Sequence, residues 1–298
     1  MQTLITGGTG FIGQHLAGYL NKPIIVGRSL DKIRDLMPGH EAHQWDPNRS
    51  LEPSLLDGVE GVFHLAGESI FKGRWNRARK ERIRKSRTQS TRHLVDAIGQ
   101  AAVRPQVLVC SSAVGIYGDR GAEPLTEASR PGDDFLARVC RDWEKEAMRA
   151  QEFGVRVVLI RTAVVLGRNG GALAQMLPPF KLGLGGRLGN GNQYMPWIHI
   201  EDLCRIMLKA MQDGHLSGPV NAVAPNPVTN RVFTRALARA LHRPALFPMP
   251  AFLLKIVVGE FATVLLSSQC VRPEILEKRG FSFHYPDIDS ALSNLISD

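Results

Sequence analysis

The sequence predicts an α/β fold in which a doubly wound parallel sheet carries helices on both faces and a smaller C-terminal lobe follows. Short apolar runs alternate with helical patterns through the first two thirds of the chain, as in parallel sheets that are buried on both faces. A glycine-rich turn joins the first strand directly to the first helix. From about residue 170 the alternation ends, and loops rich in glycine and proline precede a helix-rich tail.

The first strand and helix carry the most specific motif. An apolar strand at residues 2–5 leads into the run TGGTGFIG at residues 6–13, which opens a helix. Gly7 can adopt backbone angles closed to other residues, Gly10 lets the main chain approach a pyrophosphate, and Gly13 lets the helix pack closely. The N–H groups at the helix start favour negative phosphates. In this context the motif predicts a Rossmann-type dinucleotide-binding fold rather than an ordinary glycine turn.

The remaining strands are predicted at residues 23–27, 41–45, 61–66, 106–111, 155–160 and 220–223. Ligands of such sheets lie beyond the carboxyl ends of the strands, so the segments that leave those ends are the candidates for function. We predict a dinucleotide-binding domain over residues 1–168 and about 192–224. A substrate-binding lobe is predicted over about 169–191 and 225–298, with the apolar stretch 251–266 as a buried helix of that lobe.

The second strand ends at Arg28, which is followed by Ser29. Chains that bind NAD usually carry an acidic residue here for the ribose 2′-hydroxyl, whereas an arginine suits the 2′-phosphate of NADP. We therefore predict NADP(H) as the cofactor, with the alternative that Arg28 only caps a loop. Asp46, after the third strand, is predicted to hydrogen-bond the adenine, or else to form a turn with Pro47.

The net charge of +9 comes almost entirely from one segment. Residues 72–87 hold nine basic side chains and one acidic one, Glu81, which gives a local charge of +8. Such a run could bind nucleic acid, an acidic partner or a phosphorylated ligand, or it could form a solvated helix face. Trp75 is its one aromatic residue, which is too few for stacking on single strands, so nucleic acid is the least favoured partner.

The composition, with 44% hydrophobic and 22% charged residues, is typical of a soluble globular protein. The four cysteines lie far apart in sequence and form no metal or redox pair, which favours reduced thiols and a cytoplasmic location. Because the first strand begins at about residue 2, we expect no signal or transit peptide. We also expect no membrane span and no bound metal.

Several motifs together resemble the extended short-chain dehydrogenase/reductase superfamily. They are TGGTGFIG at 6–13, HLAG at 64–67, SS at 111–112 with YG at 117–118, and RT at 161–162 with VLG at 165–167. Its epimerase family subgroup is resembled by GE at 67–68, DWE at 142–144, MPWIHIEDL at 195–203, and the tail from SSQ at 267–269 to YPD at 285–287. The resemblance covers essentially the whole chain.

The resemblance implies a nucleotide-binding lobe, a substrate lobe, and a homodimer formed through the helices near residues 90 and 145. It implies that the turn glycines hold the pyrophosphate and Arg28 the 2′-phosphate. Residues 65–67 would line the floor near the ribose, and Thr162 would lie near the nicotinamide. The predicted cofactor-binding residues are Gly7, Thr9, Gly10, Phe11, Ile12, Gly13, Arg28, Ser29, Asp46, Leu65, Ala66, Gly67 and Thr162.

The chain departs from the superfamily pattern at the catalytic positions. These enzymes usually carry a tyrosine and, four residues later on the same helix face, a lysine that lowers the phenol pKa. The residues four positions after the four tyrosines of this chain are Pro23, Gly121, Ile198 and Asp289, so the pair is absent. If Glu144 aligns with the acidic residue that commonly follows the lysine, the two positions hold Leu136 and Cys140.

Other side chains at the strand ends could take part in catalysis. Ser111 and Ser112 stand at the end of the fifth strand; either could hydrogen-bond a substrate oxygen, and Ser112 is the better candidate. Tyr117 is the second catalytic candidate, although a Tyr-Gly pair at this place more often shapes the loop. Cys140 is predicted to be a core residue on its helix rather than a nucleophile, because no partner that would lower its pKa is evident.

Three further residues are predicted to contact the substrate. Glu68 could serve as a base, or could instead pair with neighbouring arginines. Arg187 stands in the glycine-rich loop 183–191, of the kind that closes over a substrate, and could clamp an anion there. His199 is the third candidate, with a strand end or helix cap as its more ordinary role.

These observations lead to two hypotheses about function. The first is an NADP(H)-binding oxidoreductase or nucleotide-sugar-epimerase-like enzyme that acts on a small anionic substrate without the usual tyrosine and lysine. The second is a non-catalytic NADP(H)-binding sensor or scaffold, which the missing pair favours.

Overall fold

In a computed structural model of the chain, residues 1–71, 73–168 and 170–296 are described. Their strands are β1 (Thr3–Thr6), β2 (Ile24–Gly27), β3 (Ala42–Gln44), β4 (Gly61–His64), β5 (Val107–Ala113), β6 (Pro124–Leu125), β7 (Arg156–Thr162), β8 (Val164–Gly167), β9 (Tyr194–Met195), β10 (Trp197–His199), β11 (Gly218–Ala222), β12 (Val228–Thr229) and β13 (Cys270–Val271). Their helices are α1 (Phe11–Ala17), α2 (Leu30–Leu36), α3 (Arg77–Gln100), α4 (Phe135–Met148), α5 (Gly171–Lys181), α6 (Ile200–Gln212), α7 (Asn230–Ala240), α8 (Ala251–Val258), α9 (Ala262–Leu266), α10 (Glu274–Lys278) and α11 (Ile288–Ile296).

The central sheet contains seven strands in the order β11-β7-β5-β4-β1-β2-β3. All of its neighbouring strands are parallel. The predicted fold class is therefore confirmed, and each of the seven predicted strands is present with its bounds shifted by no more than two residues. The strand order reverses between β1 and β4, which is where sheets of this kind bind their ligands.

Successive strand residues point to opposite faces of the sheet, and each face has its own core. Ile5 and Val109 pack with α1 and α6 on one face, whereas Leu4 and Leu108 pack with α3 and α4 on the other. All four of these strand side chains are 0% exposed. The strands are therefore almost wholly apolar because the parallel sheet is buried on both faces, as predicted.

The C-terminal region has a further core of its own. Helices α5, α7 and α11 contribute Leu173, Phe233 and Leu292 to it, and the short strands β8 and β10 add Leu166 and Trp197. The two regions thus share apolar packing, because β8 and β10 fall within the predicted dinucleotide-binding domain. The bounds of the two domains stay a prediction, and Asn169, Ser297 and Asp298 of the predicted lobe lie outside the described residues.

The prediction of one buried helix over residues 251–266 is wrong. Gly259, with a φ of 66°, interrupts the helical run between α8 and α9. Phe252 and Ile256 are each 64% exposed, and only Leu254 of α8 is buried. A helix that is apolar on most sides is expected to be buried, but α8 lies at the edge of the lobe and is covered on one side. Among the residues described, no helix is long and apolar enough to cross a membrane.

Candidate functional site

The glycine-rich turn adopts the geometry that its motif predicts. Gly7 has a φ of 73°, which favours glycine, and the Gly10 amide donates to the Gly7 carbonyl at 2.9 Å. A Cβ on Gly13 would approach the backbone of Gly8 to 2.6 Å, so the third glycine lets α1 close tightly on the turn. Gly10 precedes α1, is exposed, and provides no side chain to cap the helix. The turn therefore presents bare main chain to the crevice.

The floor predicted from the sequence lies directly against this turn. A Cβ on Gly7 would lie 2.8 Å from backbone atoms of Leu65 and Ala66. The Leu65 amide donates to the Thr6 carbonyl at 3.0 Å, which holds the segment after β4 beside the end of β1. Leu65 and Ala66 are half-buried, and Gly67 is exposed. The structure thus brings these predicted cofactor residues together at one edge of the sheet.

Phe11 and Ile12 turn their side chains inward and can offer only main chain to a cofactor. Both pack against the core on the α1 face of the sheet. A Cβ on Gly167 or on Gly170 would come within 2.3 Å of the Phe11 ring, so these glycines make room for it. Thr9 is half-buried within the turn. The Phe11 ring thereby fixes the turn against the segment between β8 and α5, a contact that the sequence analysis missed.

The predicted 2′-phosphate site contains an exposed arginine without an ionic partner. Arg28 leaves the carboxyl end of β2, and among the described residues no carboxylate lies within 4.0 Å of its guanidinium. Ser29 begins α2, where its hydroxyl accepts a hydrogen bond from the Lys32 amide at 3.3 Å. The free charge of Arg28 at this place fits a phosphate.

Asp46 forms the turn that was the alternative to an adenine contact. Its carboxylate accepts from the Asn48 amide at 3.0 Å and from the Asn48 side chain at 2.9 Å. The backbone hydrogen bond from Asn48 lowers the pKa of Asp46. The carboxylate is exposed beyond β3, so the turn accounts for its position.

Glu68 forms an ion pair rather than presenting a free base. Its Oε1 accepts from Nη1 of Arg79 at 2.5 Å, and its amide donates to the Ser86 hydroxyl at 3.0 Å. The hydrogen bond from Arg79 lowers the pKa of Glu68, which makes the carboxylate a weaker base. The structure favours the ion pair, the alternative that the sequence left open.

Arg87 is a functional candidate that the sequence analysis placed only within the basic run. Its Nη1 donates to the carbonyl oxygens of Glu68 at 3.0 Å and Ile83 at 3.1 Å. The guanidinium carbon of Arg87 lies 5.3 Å from the ring centroid of Trp143. A Cβ on Gly67 would lie 3.6 Å from the same guanidinium carbon. No carboxylate of the described chain lies within 4.0 Å of it. Burial lowers the pKa of Arg87, and the charge of Glu68 opposes this shift only in part, so a guanidinium with little charge compensation stands beside the exposed Gly67.

The two predicted catalytic hydroxyls belong to a buried polar network. Ser112 Oγ donates to Glu144 Oε1 at 2.6 Å, and Arg161 donates to both carboxylate oxygens of Glu144 at 2.9 Å. Arg161 also donates to the Tyr117 hydroxyl at 3.0 Å, which in turn donates to Asn221 Oδ1 at 2.7 Å. Ser112 is 3% exposed and Tyr117 0% exposed. This arrangement favours a structural role for both, and it leaves their catalytic role without support.

The positions that the resemblance assigns to the tyrosine and lysine are apolar in their surroundings. Leu136 is half-buried and packs against a cluster that contains Trp75, Ile83 and Phe261. Cys140 is 3% exposed, and burial raises the pKa of its thiol to about 12. The prediction that Cys140 is a core residue is therefore confirmed, and its thiol is no nucleophile at neutral pH.

Thr162 lies at the carboxyl end of β7, in register with Ala113 of β5. It is half-buried, and its hydroxyl donates to the Ile160 carbonyl at 3.2 Å. Ala113 is also half-buried, on the opposite side of the strand from Ser112. These neighbours place Thr162 at the edge of the sheet where the resemblance puts the nicotinamide.

His199 ends β10 and caps helix α6, which were its more ordinary predicted roles. Its Nδ1 accepts from the Glu201 amide at 3.2 Å, and its ring stacks on Tyr285 with centroids 3.8 Å apart. Burial lowers its pKa. Asp202, with 0% of its side chain exposed, accepts from the amides of His284 and Tyr285 at 2.9 Å. His199 thus holds the C-terminal segment in place, and nothing around it favours substrate contact.

Arg187, the predicted anion clamp, lies on the C-terminal lobe with two other arginines. It lines one cavity with Arg231 and Arg235, both from α7. The loop that carries it is tied down, since the Met249 amide donates to the Arg187 carbonyl at 2.9 Å. Among the described residues, no three histidine, cysteine, aspartate or glutamate side chains are grouped as metal ligands.

The parallel sheet and the glycine turn at its edge define a class of dinucleotide-binding protein. Comparison with known proteins identifies the family within that class. Residues 3–223 match the model of the NAD dependent epimerase/dehydratase family, and residues 249–295 match a domain of unknown function, DUF1731. The chain therefore belongs to the NAD dependent epimerase/dehydratase family. This confirms the resemblance that the sequence motifs indicated.

Individual relatives cover the whole chain. Epimerase family protein YfhF of Bacillus subtilis is 37% identical, with 100% of this chain and 99% of the relative aligned. Epimerase family protein SDR39U1 of Bos taurus is 38% identical over 100% of both chains. The crystal structure of human SDR39U1 with NADPH is 35% identical and superposes with a TM-score of 0.90 over 99% of both chains. A UDP-glucuronic acid 4-epimerase from Bacillus cereus, 17% identical with a TM-score of 0.77, shares the fold.

Proposed function

We propose that this chain binds NADPH along the carboxyl edge of the sheet and transfers hydride to or from a small anionic substrate. The observation that carries the cofactor is Arg28 at the end of β2, an exposed guanidinium with no carboxylate of the described residues within 4.0 Å. The main chain of the turn at Gly10 is bare, and Gly67 is exposed beside it. NADPH in the crystal structure of the human relative supports the same choice of cofactor.

The residues of the crevice fit the parts of the cofactor in order. The glycine turn would hold the pyrophosphate through main-chain N–H groups, and Arg28 would pair with the 2′-phosphate. Residues 65–67 would form the floor beneath the ribose, and Thr162 would lie near the nicotinamide. When bound, NADPH supplies a hydride, and the chain itself has to place the substrate and balance charge.

Arg87 supplies a positive charge in the part of the crevice where the missing lysine would stand. Its guanidinium lies over Trp143, which follows Cys140 by three residues on the buried face of α4. Its hydrogen bonds go to carbonyl and hydroxyl oxygens, so only the more distant charge of Glu68 partly balances the guanidinium. We infer that Arg87 attracts a negative group of the substrate or hydrogen-bonds the ribose. The proton that accompanies hydride transfer would come from solvent, because Leu136 has none to give.

A second function, an NADPH-binding sensor without turnover, is favoured by one observation. The hydroxyls of Ser112 and Tyr117 are both engaged in the buried network, and Leu136 occupies the position assigned to the tyrosine. Such a protein would bind the cofactor and respond to its redox state without transferring hydride. The two proposals share the cofactor site and differ only in turnover.

The deciding experiment follows the hydride. NADPH deuterated at either face of the nicotinamide C4 is incubated with the protein and a metabolite extract, and deuterated products are sought by mass spectrometry. The Gly10→Val variant is the blank, because its side chain obstructs the turn that faces the pyrophosphate. Deuterium in a metabolite supports the oxidoreductase and names its substrate. Confirmed NADPH binding without any label transfer would favour the sensor, provided that no substrate is epimerised with internal return of the hydride.

A further inference from the structure

A group of three arginine side chains converges on the C-terminal lobe, away from the residues of the cofactor crevice. Arg187, from the loop after α5, and Arg231 and Arg235, from the first turns of α7, line a cavity of about 260 Å³. Thr234, Ala245, Leu246 and Pro248 complete its walls. Arg231 and Arg235 are four residues apart, so they project from the same face of the helix.

The cavity is held in shape by main-chain hydrogen bonds. The Met249 amide donates to the Arg187 carbonyl at 2.9 Å, and the Gly189 amide donates to the Met249 carbonyl at 2.9 Å. The Leu188 amide donates to the Asn230 side chain at 2.8 Å, which ties the loop to the start of α7. The glycine-rich loop, expected from its composition to close over a substrate, is thus anchored on two sides. These hydrogen bonds fix the position of the Arg187 main chain relative to α7, which carries the other two arginines.

The positive charge of this cavity is not balanced by any nearby carboxylate among the described residues. None of the three guanidinium groups has a carboxylate within 4.0 Å among the described residues. Nη2 of Arg231 donates to the Asn190 carbonyl at 3.0 Å, but its Nε is buried and has no hydrogen-bond partner there. By contrast, Arg239 on the same helix pairs with Asp289 at 2.6 Å. Like charges that converge without an anion repel one another, so the arrangement is favourable only when an anion is bound.

We propose that this arginine pocket binds the phosphate group of a small molecule. Guanidinium groups bind phosphate through paired hydrogen bonds, and three of them match a group with two negative charges better than a single carboxylate. A concave cavity of about 260 Å³ admits part of a small ligand and not a nucleic-acid duplex. The pocket shares no residue with the cofactor crevice, so this inference does not depend on the proposed binding of NADPH.

The test is a calorimetric titration of the NADPH-saturated protein with pyrophosphate at constant ionic strength. Saturation with NADPH fills the glycine turn, which could otherwise bind the same anion. We expect one saturable site whose affinity falls at least tenfold in Arg231→Gln and in Arg235→Gln. Arg239→Gln, which removes the same charge from the same helix, should leave the affinity unchanged. Acetate at equal ionic strength should not compete.

Two further measurements keep the outcome unambiguous. Arg235 is exposed and its side chain makes no hydrogen bond to the described chain, so Arg235→Gln tests the pocket even if Arg231→Gln fails to fold. If the wild type does not bind NADPH, the same titration on Gly10→Val separates the two proposals, since the cofactor site is then obstructed. No pyrophosphate binding, equal binding in Arg235→Gln, or tighter and steeply salt-dependent binding of a single-stranded oligonucleotide would overturn the proposal.

Discussion

At the scale of single residues, the crevice shows how environment decides what a side chain can do. Arg28 is exposed and unpaired, so its charge is available to a phosphate. Glu68 is tied to Arg79, and Ser112 is tied to Glu144, so neither is free to act on a substrate in the way the sequence allowed. A glutamate or a serine at the same place, without an arginine or a carboxylate bound to it, would be a catalytic candidate. The available groups are therefore those without a protein partner.

Arg28→Asp should weaken NADPH binding by a factor of ten or more, about 1.4 kcal/mol, because an acid repels the 2′-phosphate. NADH, which lacks that phosphate, should bind no more weakly than before. Both affinities are measured by nicotinamide fluorescence titration. Arg34→Asp, an equal change of charge at an exposed position of α2, is the control. An unchanged NADPH affinity in Arg28→Asp would remove the assigned role.

His64 makes the stability of the fold depend on pH. Its side chain is 0% exposed, with Nδ1 at 2.7 Å from the Thr6 hydroxyl and Nε2 at 2.9 Å from the Thr91 hydroxyl. Burial lowers the pKa of this imidazole from 6.5 to about 3. The unfolded chain therefore binds a proton between these two pKa values that the folded chain does not. The contribution of His64 to the free energy of unfolding is fully present above pH 6.5. Below pH 6.5 this contribution falls by up to about 1.4 kcal/mol per pH unit.

The measurement is the free energy of unfolding by denaturant between pH 7 and pH 5. His64→Asn should lower the free energy of unfolding. It should also reduce the slope of that free energy against pH by the equivalent of about one proton taken up on unfolding. His242→Asn is the control, because His242 is exposed and asparagine tolerates its φ of 51°. A slope that stays the same in His64→Asn would show that other groups cause the acid sensitivity.

At the scale of elements, helix α3 explains the basic run that dominates the charge of the chain. Lys72 lies outside the described residues, and most of the others contact the protein itself. Arg79 pairs with Glu68, and Lys80 pairs with Glu260 of the C-terminal region at 2.6 Å. Arg84 reaches Glu81 at 3.2 Å. The run thus serves partly to join the two regions, which favours neither a nucleic-acid surface nor a wholly solvated face.

Strand β7 is joined to α4 by the ion pair of Arg161 and Glu144, whose side chains are 8% and 11% exposed, and β5 is joined to it by the hydrogen bond from Ser112 to Glu144. Glu144→Gln keeps the size of the side chain but leaves the buried guanidinium without its anion. We expect a loss of about 3 kcal/mol in the free energy of unfolding, measured with denaturant. Glu81→Gln, which removes the exposed pairs of Glu81 with Arg84 and Lys85 on α3, should cost less than about 1 kcal/mol. Equal losses in the two variants would contradict the importance of burial.

At the scale of the whole molecule, the crevice is formed by segments that are far apart in the sequence. The turn after β1, the end of β2 and the segment after β4 meet because parallel strands present their carboxyl ends at one edge. The C-terminal segment is held against this frame by Asp202 and by stacking of Tyr285 on His199. The homodimer through α3 and α4 and the cytoplasmic location stay predictions.

Because a ligand that binds only the folded state stabilises it, NADPH should raise the melting temperature. At a hundred times its dissociation constant the gain is about 2.7 kcal/mol, or ~5 °C for a chain of this size. Gly10→Val should lose this shift, and Arg28→Asp should show it only at higher concentration. The measurement is thermal unfolding followed by circular dichroism. A shift of equal size in Gly10→Val would place the cofactor elsewhere.

The sequence by itself determined the fold class, the seven sheet strands and the glycine turn, and it led to the prediction of NADP(H). These features rest on local rules, since alternation of strands and helices and the need for glycine at Gly7 are properties of short segments. Arg28 was assigned correctly as a strand-end arginine for the same reason. The spacing of Arg79, Ile83 and Arg87 by four residues was a signal that part of the basic run faces inward, and it could have been used.

Only the tertiary structure decided which polar groups are free. It placed Ser112 against Glu144, buried Tyr117, and left Arg87 beside Gly67 with no carboxylate of the described residues within 4.0 Å. It also brought Arg187 to Arg231, 44 positions away in the chain. The physical reason is that the activity of a charged or hydroxyl group depends on burial and on its hydrogen-bond partners, which come from distant segments. Sequence patterns specify the elements, and the packing of those elements decides their chemistry.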